Sequence, residues 1–262
     1  MDSVLEIIPL IDLTSLNDDD SEESITTLCA NAITPFGSVA AVCVYSKFVP
    51  LAVELLKNSS VNIATVVNFP QGESNLTEIL DEIKYALHLK ANEIDLVFPY
   101  RAYLKGDTGN ALKVVAEARA ICPPSIKLKI IIETGELFSL DIIKMISAEL
   151  IALGVDFIKT STGKVERGAS LEAATMILTA IKEHIAYSRT RCEADHVTKH
   201  LTLKRIPKHS TGIKISGGIR TISQARSYIQ LANNIMGEGW VNPGVFRIGA
   251  SALLKEILEH VN

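Results

Sequence analysis

The sequence lacks the features that characterise several classes of protein. Only 5% of its 262 residues are aromatic, so the core must be mostly aliphatic, as the interior of a parallel barrel tends to be. No apolar run is long enough to cross a bilayer and no signal-peptide pattern opens the chain, so we expect a cytoplasmic protein. The cysteines show neither a CxxC pair nor a metal-ligand spacing, and there are four of them: Cys29, Cys43, Cys122 and Cys192.

An excess of positive charge is also absent. Lys and Arg number 26 against 30 Asp and Glu, and the net charge of −4 argues against nucleic acid or an anionic membrane as the main partner. A small phosphorylated substrate is still compatible with this balance, because local cations can hold a phosphate. The length is close to the roughly 250 residues of one (β/α)8 barrel, so we expect a single domain over residues 1–262.

Short β-branched runs alternate eight times with longer segments of helical period. Strands that alternate with helices predict right-handed βαβ units around a parallel sheet, and eight repeats favour a closed (β/α)8 TIM barrel over a doubly wound sheet. The predicted strands are Ile7–Thr14, Val39–Ser46, Asn62–Phe69, Glu93–Tyr100, Leu128–Thr134, Asp156–Thr162, Gly212–Gly218 and Phe246–Ser251. Capping-box pairs predict three helix starts, at Asp20 with Glu23, Asn75 with Glu78 and Thr221 with Gln224.

One long polar stretch, at about residues 187–210, breaks this rhythm. We interpret it as a solvated surface insertion that lengthens a helix or adds a short one. A contact surface for another chain or for an anion is the alternative, and the sequence does not choose between them. The stretch is rich in basic residues: Arg189, Arg191, Lys199, Lys204, Arg205 and Lys208.

Three predicted strands carry a charge inside an apolar run, namely Asp95, Lys159 and Lys214. The structural explanation is that each lysine pairs with a carboxylate such as Asp95 or Glu133. The chemical explanation is a Schiff-base lysine, which must be a neutral amine to attack a carbonyl. A second ammonium roughly 6 Å away would repel the first by about 3 kcal/mol and lower the amine's pKa by about two units.

Three strand ends carry features suited to a phosphate group. The segment Ser161–Lys164 offers hydroxyls, free N–H groups and a cation. The segment Gly217–Arg220 brings glycines that let the backbone approach an anion, and Ile248–Ser251 opens a helix. The loops after the seventh and eighth strands are the usual phosphate site of this fold.

Eight segments in chain order resemble the deoxyribose-phosphate aldolase family. The string DFIKTSTGK (Asp156–Lys164) is the most specific of them, and KISGGIR (Lys214–Arg220) and EIDLVFPYRA (Glu93–Ala102) support it. The others are LIDLTSLNDDD (Leu10–Asp20), AAVCVYSKFVP (Ala40–Pro50), NFPQGES (Asn68–Ser74), IIETGEL (Ile131–Leu137) and FRIGAS (Phe246–Ser251).

The resemblance implies a role for each matching residue. Lys159 matches the Schiff-base lysine, Lys214 the second lysine that lowers the pKa of the nucleophile, and Asp95 the acid of the proton relay. Positions that hold the 5-phosphate match Gly163, Lys164, Gly217, Gly218, Gly249 and Ser251, and residues that line the pocket match Asp12, Thr14 and Cys43. The family often has a second serine where this chain has Ala252, so one phosphate hydroxyl is absent here.

The implied reaction is the reversible cleavage of 2-deoxy-D-ribose 5-phosphate to acetaldehyde and D-glyceraldehyde 3-phosphate, in deoxynucleoside catabolism. It needs no cofactor and no metal, since the iminium supplies the electrophile, and the six histidines show no ligand cluster. Two alternatives are another Schiff-base aldolase or a transaldolase on the same fold, and a non-catalytic binding protein that uses the basic insertion. The oligomeric state stays open, with a homodimer as one option.

Overall fold

The computed structural model describes residues 4–195 and 211–261. Its strands are β1 Ile11–Thr14, β2 Ile33–Thr34, β3 Gly37–Ser38, β4 Ala41–Val44, β5 Asn62–Val67, β6 Glu93–Val97, β7 Lys127–Ile131, β8 Phe157–Lys159, β9 Gly212–Ser216 and β10 Phe246–Ala250. Eight of them pair in parallel and close a barrel in the order β1-β10-β9-β8-β7-β6-β5-β4, while β2 and β3 form a small hairpin. The predicted (β/α)8 barrel is therefore confirmed.

Helices cover the outside of the barrel and join successive strands. They are α1 Glu22–Asn31, α2 Val49–Leu56, α3 Leu76–His88, α4 Tyr100–Leu104, α5 Thr108–Ile121, α6 Leu140–Ala152, α7 Leu171–Asp195, α8 Ile222–Met236 and α9 Leu253–Val261. Capping boxes begin α3 at Asn75 and α8 at Thr221, as predicted. The prediction for α1 was wrong by one residue, since Ser21 and Ser24 form its capping box.

The predicted strands begin and end within a few residues of the observed ones, apart from the first. A 3₁₀ helix covers Val4–Leu10, and β1 begins only at Ile11. Pro9 lies within that helix. Because proline has no N–H to donate to a strand ladder, the apolar run before Leu10 could not extend β1 as a paired strand.

The aliphatic core lies mainly between the strands and the surrounding helices. Residues such as Ile94, Ile130, Ile158 and Ile248 are fully buried there. The inside of the barrel is different. A small apolar cluster of Leu16, Cys43, Ala64 and Val66 occupies one side, and fully buried charged side chains occupy the other: Asp12, Glu93, Asp95, Lys129, Lys159, Lys214 and Arg247. The expected aliphatic interior is therefore wrong for that side of the barrel.

The polar stretch at residues 187–210 is described only in its first part. Helix α7 runs on to Asp195, so the beginning of the stretch lengthens a helix, which was one of the two forms predicted for it. The residues from 196 to 210, which include most of the predicted basic side chains, lie outside the described part of the chain. Among the described helices, none has both the length and the apolar character that a membrane crossing requires.

Candidate active site

The strand register brings the charged residues together inside the barrel. Residues at the same level of neighbouring parallel strands point to the same side of a sheet. Asp95 of β6 is level with Lys129 of β7, and Lys159 of β8 is level with Lys214 of β9. Lys159 is the last residue of β8, and the carboxyl ends of the strands are where (β/α)8 barrels carry their active sites, while Lys214 is the middle residue of β9.

The three charges predicted from the sequence meet at one carboxylate. The Lys159 ammonium lies 2.8 Å from Asp95 Oδ2, and the Lys214 ammonium lies 2.7 Å from the same oxygen. The two nitrogens are therefore at most about 5.5 Å apart, close to the separation assumed from the sequence. Their side chains are 3% and 0% exposed, so little water screens one charge from the other.

The site also contains three charged residues that sequence reasoning missed, Glu93, Lys129 and Arg247, and Arg247 is a partner of Asp12 that it did not foresee. Lys129 Nζ lies 2.8 Å from Asp95 Oδ1 and 2.6 Å from Glu93 Oε2. Arg247 lies 2.6 Å from Asp12 and 3.2 Å from Glu93. The missed signal was alternation, because Glu93 is two residues before Asp95 and therefore shares its inward face.

The lysines differ in how many carboxylates they contact. Within the described residues, Lys129 contacts three carboxylates and Lys214 contacts two, Asp12 and Asp95. Lys159 contacts Asp95 alone, through an oxygen that Lys214 shares. Lys159 therefore has the fewest carboxylate contacts of the three, and in this sense its charge is the least compensated.

Lys214, Asp95 and Asp12 stay ionised inside the barrel. Burial by itself would lower the pKa of Lys214, but the carboxylates of Asp12 and Asp95 outweigh it and hold the pKa above its usual value. Burial likewise would raise the pKa of Asp95, and the surrounding lysine ammoniums hold it well below its usual range. Burial would also raise the pKa of Asp12, but the positive charges of Lys214, Lys129 and Arg247 outweigh it and lower that pKa. Lys214 thus stays a cation next to Lys159.

These lowered pKa values predict acid-sensitive folding. A carboxylate whose pKa is depressed in the folded state stabilises the protein above about pH 4, and this contribution is lost as the pH falls further. Asp12→Asn should lower the free energy of unfolding at pH 7 by about 3–5 kcal/mol, because it leaves buried cations without a partner. The free energy of unfolding of the variant should also fall less steeply between pH 5 and 2, by up to about 1.4 kcal/mol per pH unit.

Urea unfolding at several pH values measures both effects of Asp12→Asn. Glu54→Gln is the matched control, because Glu54 pairs with Lys57 on the surface, where the two side chains are 70% and 57% exposed. That control should leave the pH dependence of unfolding unchanged. An Asp12→Asn protein with the wild-type acid dependence would contradict the assignment.

Glu133 organises the loop that follows β8. Its buried carboxylate accepts hydrogen bonds from Ser161 Oγ at 2.5 Å and Thr162 Oγ1 at 2.5 Å. Those hydroxyl oxygens in turn accept from the N–H groups of Gly163 and Lys164, at 3.2 and 3.0 Å. The expectation of free N–H groups here was wrong for Gly163 and Lys164, because serine and threonine side chains turn back to their own backbone in such loops. Glu133 therefore holds a loop rather than a lysine.

The glycines expected to face a phosphate have different surroundings. Gly218 has a φ of +92° and no atom within 4 Å of where a Cβ would stand, so it is open to a ligand. A Cβ on Gly217 would lie 2.9 Å from Gly168 Cα, which makes this glycine necessary for loop packing. A Cβ on Gly249 would lie 3.1 Å from Lys214 Cε, so Gly249 leaves room for that side chain. The exposed side chain of Lys164 and the exposed Ser251 complete the predicted set.

Thr14 and Cys43 lie level with each other on β1 and β4, next to the charged network. Thr14 Oγ1 donates to the main-chain carbonyl of Asp12 at 2.8 Å, which fixes the Thr14 side chain against its own strand. Cys43 is fully buried, and burial raises the pKa of its thiol. Its thiol is therefore a neutral packing group beside Leu16, Ala64 and Val66 and not a nucleophile.

Groups of three or more potential metal ligands are not found in residues 4–195 and 211–261. The carboxylates inside the barrel are instead paired with lysine and arginine. The absence of a metal requirement stays a prediction. Three of the histidines considered from the sequence, His196, His200 and His209, lie outside the described residues.

Comparison with known proteins adds independent findings. A family model described as DeoC/LacD family aldolase matches residues 6–257. A deoxyribose-phosphate aldolase of Agrobacterium fabrum is 39% identical over 252 residues, which cover 96% of this chain and 88% of that protein. A solved structure from Coccidioides immitis, provisionally assigned as a deoxyribose-phosphate aldolase, is 27% identical with a TM-score of 0.79 and covers 99% of this chain and 87% of that one. A tetrameric deoxyribose phosphate aldolase from Aeropyrum pernix, at 20% identity and a TM-score of 0.73 over 100% and 93% of the two chains, shares the fold.

Proposed function

The chain belongs to the DeoC/LacD aldolase family, and from that premise we propose that it cleaves 2-deoxy-D-ribose 5-phosphate reversibly through a Schiff base on Lys159. The products are acetaldehyde and D-glyceraldehyde 3-phosphate. One observation carries the proposal: Lys159 is the least compensated of three buried lysines, and it shares an Asp95 oxygen with Lys214. Attack on an aldehyde requires a neutral amine, and the Lys214 ammonium beside Lys159 is the neighbouring cation that we propose activates it.

The chemical steps follow from the groups around Lys159. Its amine attacks C1 of the open-chain sugar, and loss of water leaves a positively charged iminium. The bond between C2 and C3 then breaks as the C3 hydroxyl gives up its proton. The electron pair of that bond moves toward the iminium, so an enamine of acetaldehyde stays on Lys159 and D-glyceraldehyde 3-phosphate leaves. Protonation of C2 and hydrolysis of the iminium release acetaldehyde and return the amine.

Asp95 is suited to handle the protons of these steps. Its Oδ2 already contacts the nucleophile at 2.8 Å, and a water bound there can carry protons between the carboxylate and the substrate. The nearby cations hold its pKa low, so it acts as a relay that receives and passes on a proton and not as a store of one. Lys214 supplies a fixed positive charge within the same network.

The phosphate is proposed to bind at the loops after β8, β9 and β10. Support comes from the exposed cation of Lys164, the open backbone at Gly218 and the exposed hydroxyl of Ser251. Ala252 offers no hydroxyl, so Ala252→Ser should tighten binding only modestly. Glu133 keeps the loop after β8 in one conformation through three hydrogen bonds to Ser161 and Thr162.

Lys164→Ala should selectively damage the phosphorylated substrate. Hydrogen bonds to a charged group contribute about 1.5–3 kcal/mol, so kcat/KM for 2-deoxyribose 5-phosphate should fall roughly 10- to 100-fold. Turnover of free 2-deoxyribose should change little. Lys84→Ala is the matched control, since Lys84 is an exposed lysine paired with Asp81 on α3. Equal losses on the two sugars would show that this loop does not bind the phosphate.

A retro-aldol assay with 2-deoxyribose 5-phosphate is the experiment that tests the proposed reaction. Trapping with acetaldehyde and borohydride separates it from a ketose-specific Schiff-base aldolase or a transaldolase, because a ketose-specific enzyme should trap acetaldehyde poorly. Failure of both assays in folded protein would overturn the proposal.

We further propose, from the family to which the chain belongs, that the reaction serves deoxyribose phosphate catabolism in the cytoplasm.

The oligomeric state is a separate question. The Aeropyrum pernix relative is tetrameric, and the homodimer considered from the sequence stays a prediction that light scattering measures directly. The organisation as one domain with a basic surface insertion also stays a prediction.

A further inference from the structure

A continuous set of charges crosses the barrel from its amino-terminal end to Lys159. A cavity of about 270 Å³ opens at that end, and its lining includes Asn62, Lys127 and Arg247. Asn62 and Lys127 are the first residues of β5 and β7, which places the cavity opposite the proposed active site. The buried carboxylate of Glu93 lies between the cavity and Asp95, since it contacts Lys127 and Arg247 on one side and Lys129 on the other.

Glu93 joins the two ends of this set. Its side chain is 1% exposed. Its Oε2 lies 2.6 Å from the Lys129 ammonium, and its Oε1 lies 3.2 Å from Arg247 Nη2 and 3.6 Å from Lys127 Nζ. The guanidinium of Arg247 is itself fixed, since it also donates to Asp12 at 2.6 Å and to the carbonyl of Pro243. Glu93 is therefore held firmly on the side away from the active site.

The position of Lys129 determines which carboxylate oxygen of Asp95 faces Lys159. Lys129 donates to Asp95 Oδ1 at 2.8 Å, which leaves Oδ2 to face Lys159 and Lys214. A carboxylate with one oxygen fixed in this way cannot rotate the other away from the nucleophile. Any group that fixes Lys129 therefore fixes the geometry at Lys159, although it does not touch the substrate.

We propose that Glu93 is a positioning residue of the aldolase reaction: it anchors Lys129, and through Lys129 and Asp95 it sets the geometry and the charge around Lys159. This inference rests on the proposed role of Lys159. Glu93 acts from the amino-terminal side of the barrel, beyond the residues that contact the sugar.

The titratable groups of this set come from seven strands. Within the described residues, the groups around Glu93, Asp95 and Lys159 comprise five cations, two other carboxylate-bearing neighbours and one thiol: Lys127 and Lys129 of β7, Lys159 of β8, Lys214 of β9, Arg247 of β10, Asp12 of β1, Asp95 of β6 and Cys43 of β4. Neutralising Glu93 leaves the five cations with only two carboxylates. The added positive charge favours the neutral form of the least compensated lysine.

Glu93→Gln tests the charge part of the proposal. At a separation of roughly 8–10 Å and an effective dielectric near 20, loss of this negative charge should move the acid limb of the kcat profile down by about one pH unit. Because Lys129 also loses the shortest of its three carboxylate contacts, kcat at the optimum should fall roughly 10- to 100-fold. KM should stay within about two-fold, since Glu93 does not reach the sugar. The same pH shift should appear in borohydride trapping with acetaldehyde.

Two further variants separate positioning from charge. Glu93→Asp keeps the charge but withdraws the carboxylate from Lys129, so kcat should fall while the acid limb stays in place. Lys127→Gln is the matched control, because Lys127 is partly exposed and lies 3.6 Å from the same carboxylate without contacting Asp95. It should leave kcat near the wild-type value and move the acid limb slightly upward, opposite to Glu93→Gln.

Two results would overturn the proposal. One is a folded Glu93→Gln protein with a wild-type acid limb, which would give Glu93 a structural role alone. The other is Glu93→Asp with wild-type kcat, and this second variant keeps the test decisive if Glu93→Gln does not fold. Trapping of wild-type protein on Lys159 is measured first. If that trapping fails, the proposed function fails, whereas failure of the Glu93 variants alone rejects only this inference.

Discussion

Replacing Lys159 with methionine should abolish retro-aldol turnover of 2-deoxyribose 5-phosphate, with a loss of roughly 10⁴- to 10⁶-fold in kcat, as expected for removal of a covalent nucleophile. Methionine keeps most of the aliphatic stem, so the packing around this buried side chain is largely retained. The physical reason for the loss is specific. Lys214 and Lys129 are held as cations by two and three carboxylates, so neither offers a neutral amine in place of Lys159.

Covalent trapping locates the nucleophile directly. Incubation with acetaldehyde and borohydride should add one ethyl group to the peptide that contains Lys159, and mass spectrometry identifies the modified residue. The Lys159→Met protein should show no adduct while unfolding cooperatively on heating. The reaction is run with EDTA as well, and we expect no change from the chelator. An adduct on Lys214, or trapping that persists in Lys159→Met, would refute the assignment.

Replacing Lys214 with methionine should move the acid limb of the activity profile to higher pH by about two units. The Lys214 ammonium lies at most about 5.5 Å from that of Lys159, and at an effective dielectric near 20 their repulsion is about 3 kcal/mol. Without this cation Lys159 keeps its proton more readily, and Asp95 Oδ2 is left to Lys159 alone. Activity at pH 7 should therefore fall roughly 100-fold and recover as the pH is raised.

Lys214→Arg is the matched control for this effect, because arginine keeps the positive charge. It should leave the acid limb near its wild-type position even if the larger side chain lowers kcat. Gly249 leaves room beside Lys214 Cε, which is the position where the arginine guanidinium begins. An active Lys214→Met protein with an unchanged profile would mean that the lysine pair is structural.

The strand pattern and the inward charges were available from the sequence. Eight β-branched runs separated by helical periods predicted the barrel, because alternation and helical period are local properties of the chain. Asp95, Lys159 and Lys214 stood out since a charge within an apolar strand run is costly unless it is paired or used. The resemblance then supplied the expected role of each residue.

The first strand and the loop after β8 show where local reasoning failed. The run before Leu10 is apolar enough for a strand, but Pro9 lies in a 3₁₀ helix instead. In the loop after β8, the hydroxyls of Ser161 and Thr162 are engaged by Glu133, which lies 28 and 29 residues away in the chain. Neither the 3₁₀ helix before Leu10 nor the contact between Glu133 and the loop could be predicted from the residues of the segment alone.

The tertiary structure alone decided which charge pairs with which. Alternation within a strand tells which face a side chain occupies, but the closed register sets its level relative to other strands. The hydrogen bonds that join Asp95 to Lys129, Lys159 and Lys214 span 34, 64 and 119 residues, and the bond from Arg247 to Asp12 spans 235. Because ion pairing depends on a few ångströms between strands that are distant in sequence, Lys159 became the least compensated lysine only when the barrel closed.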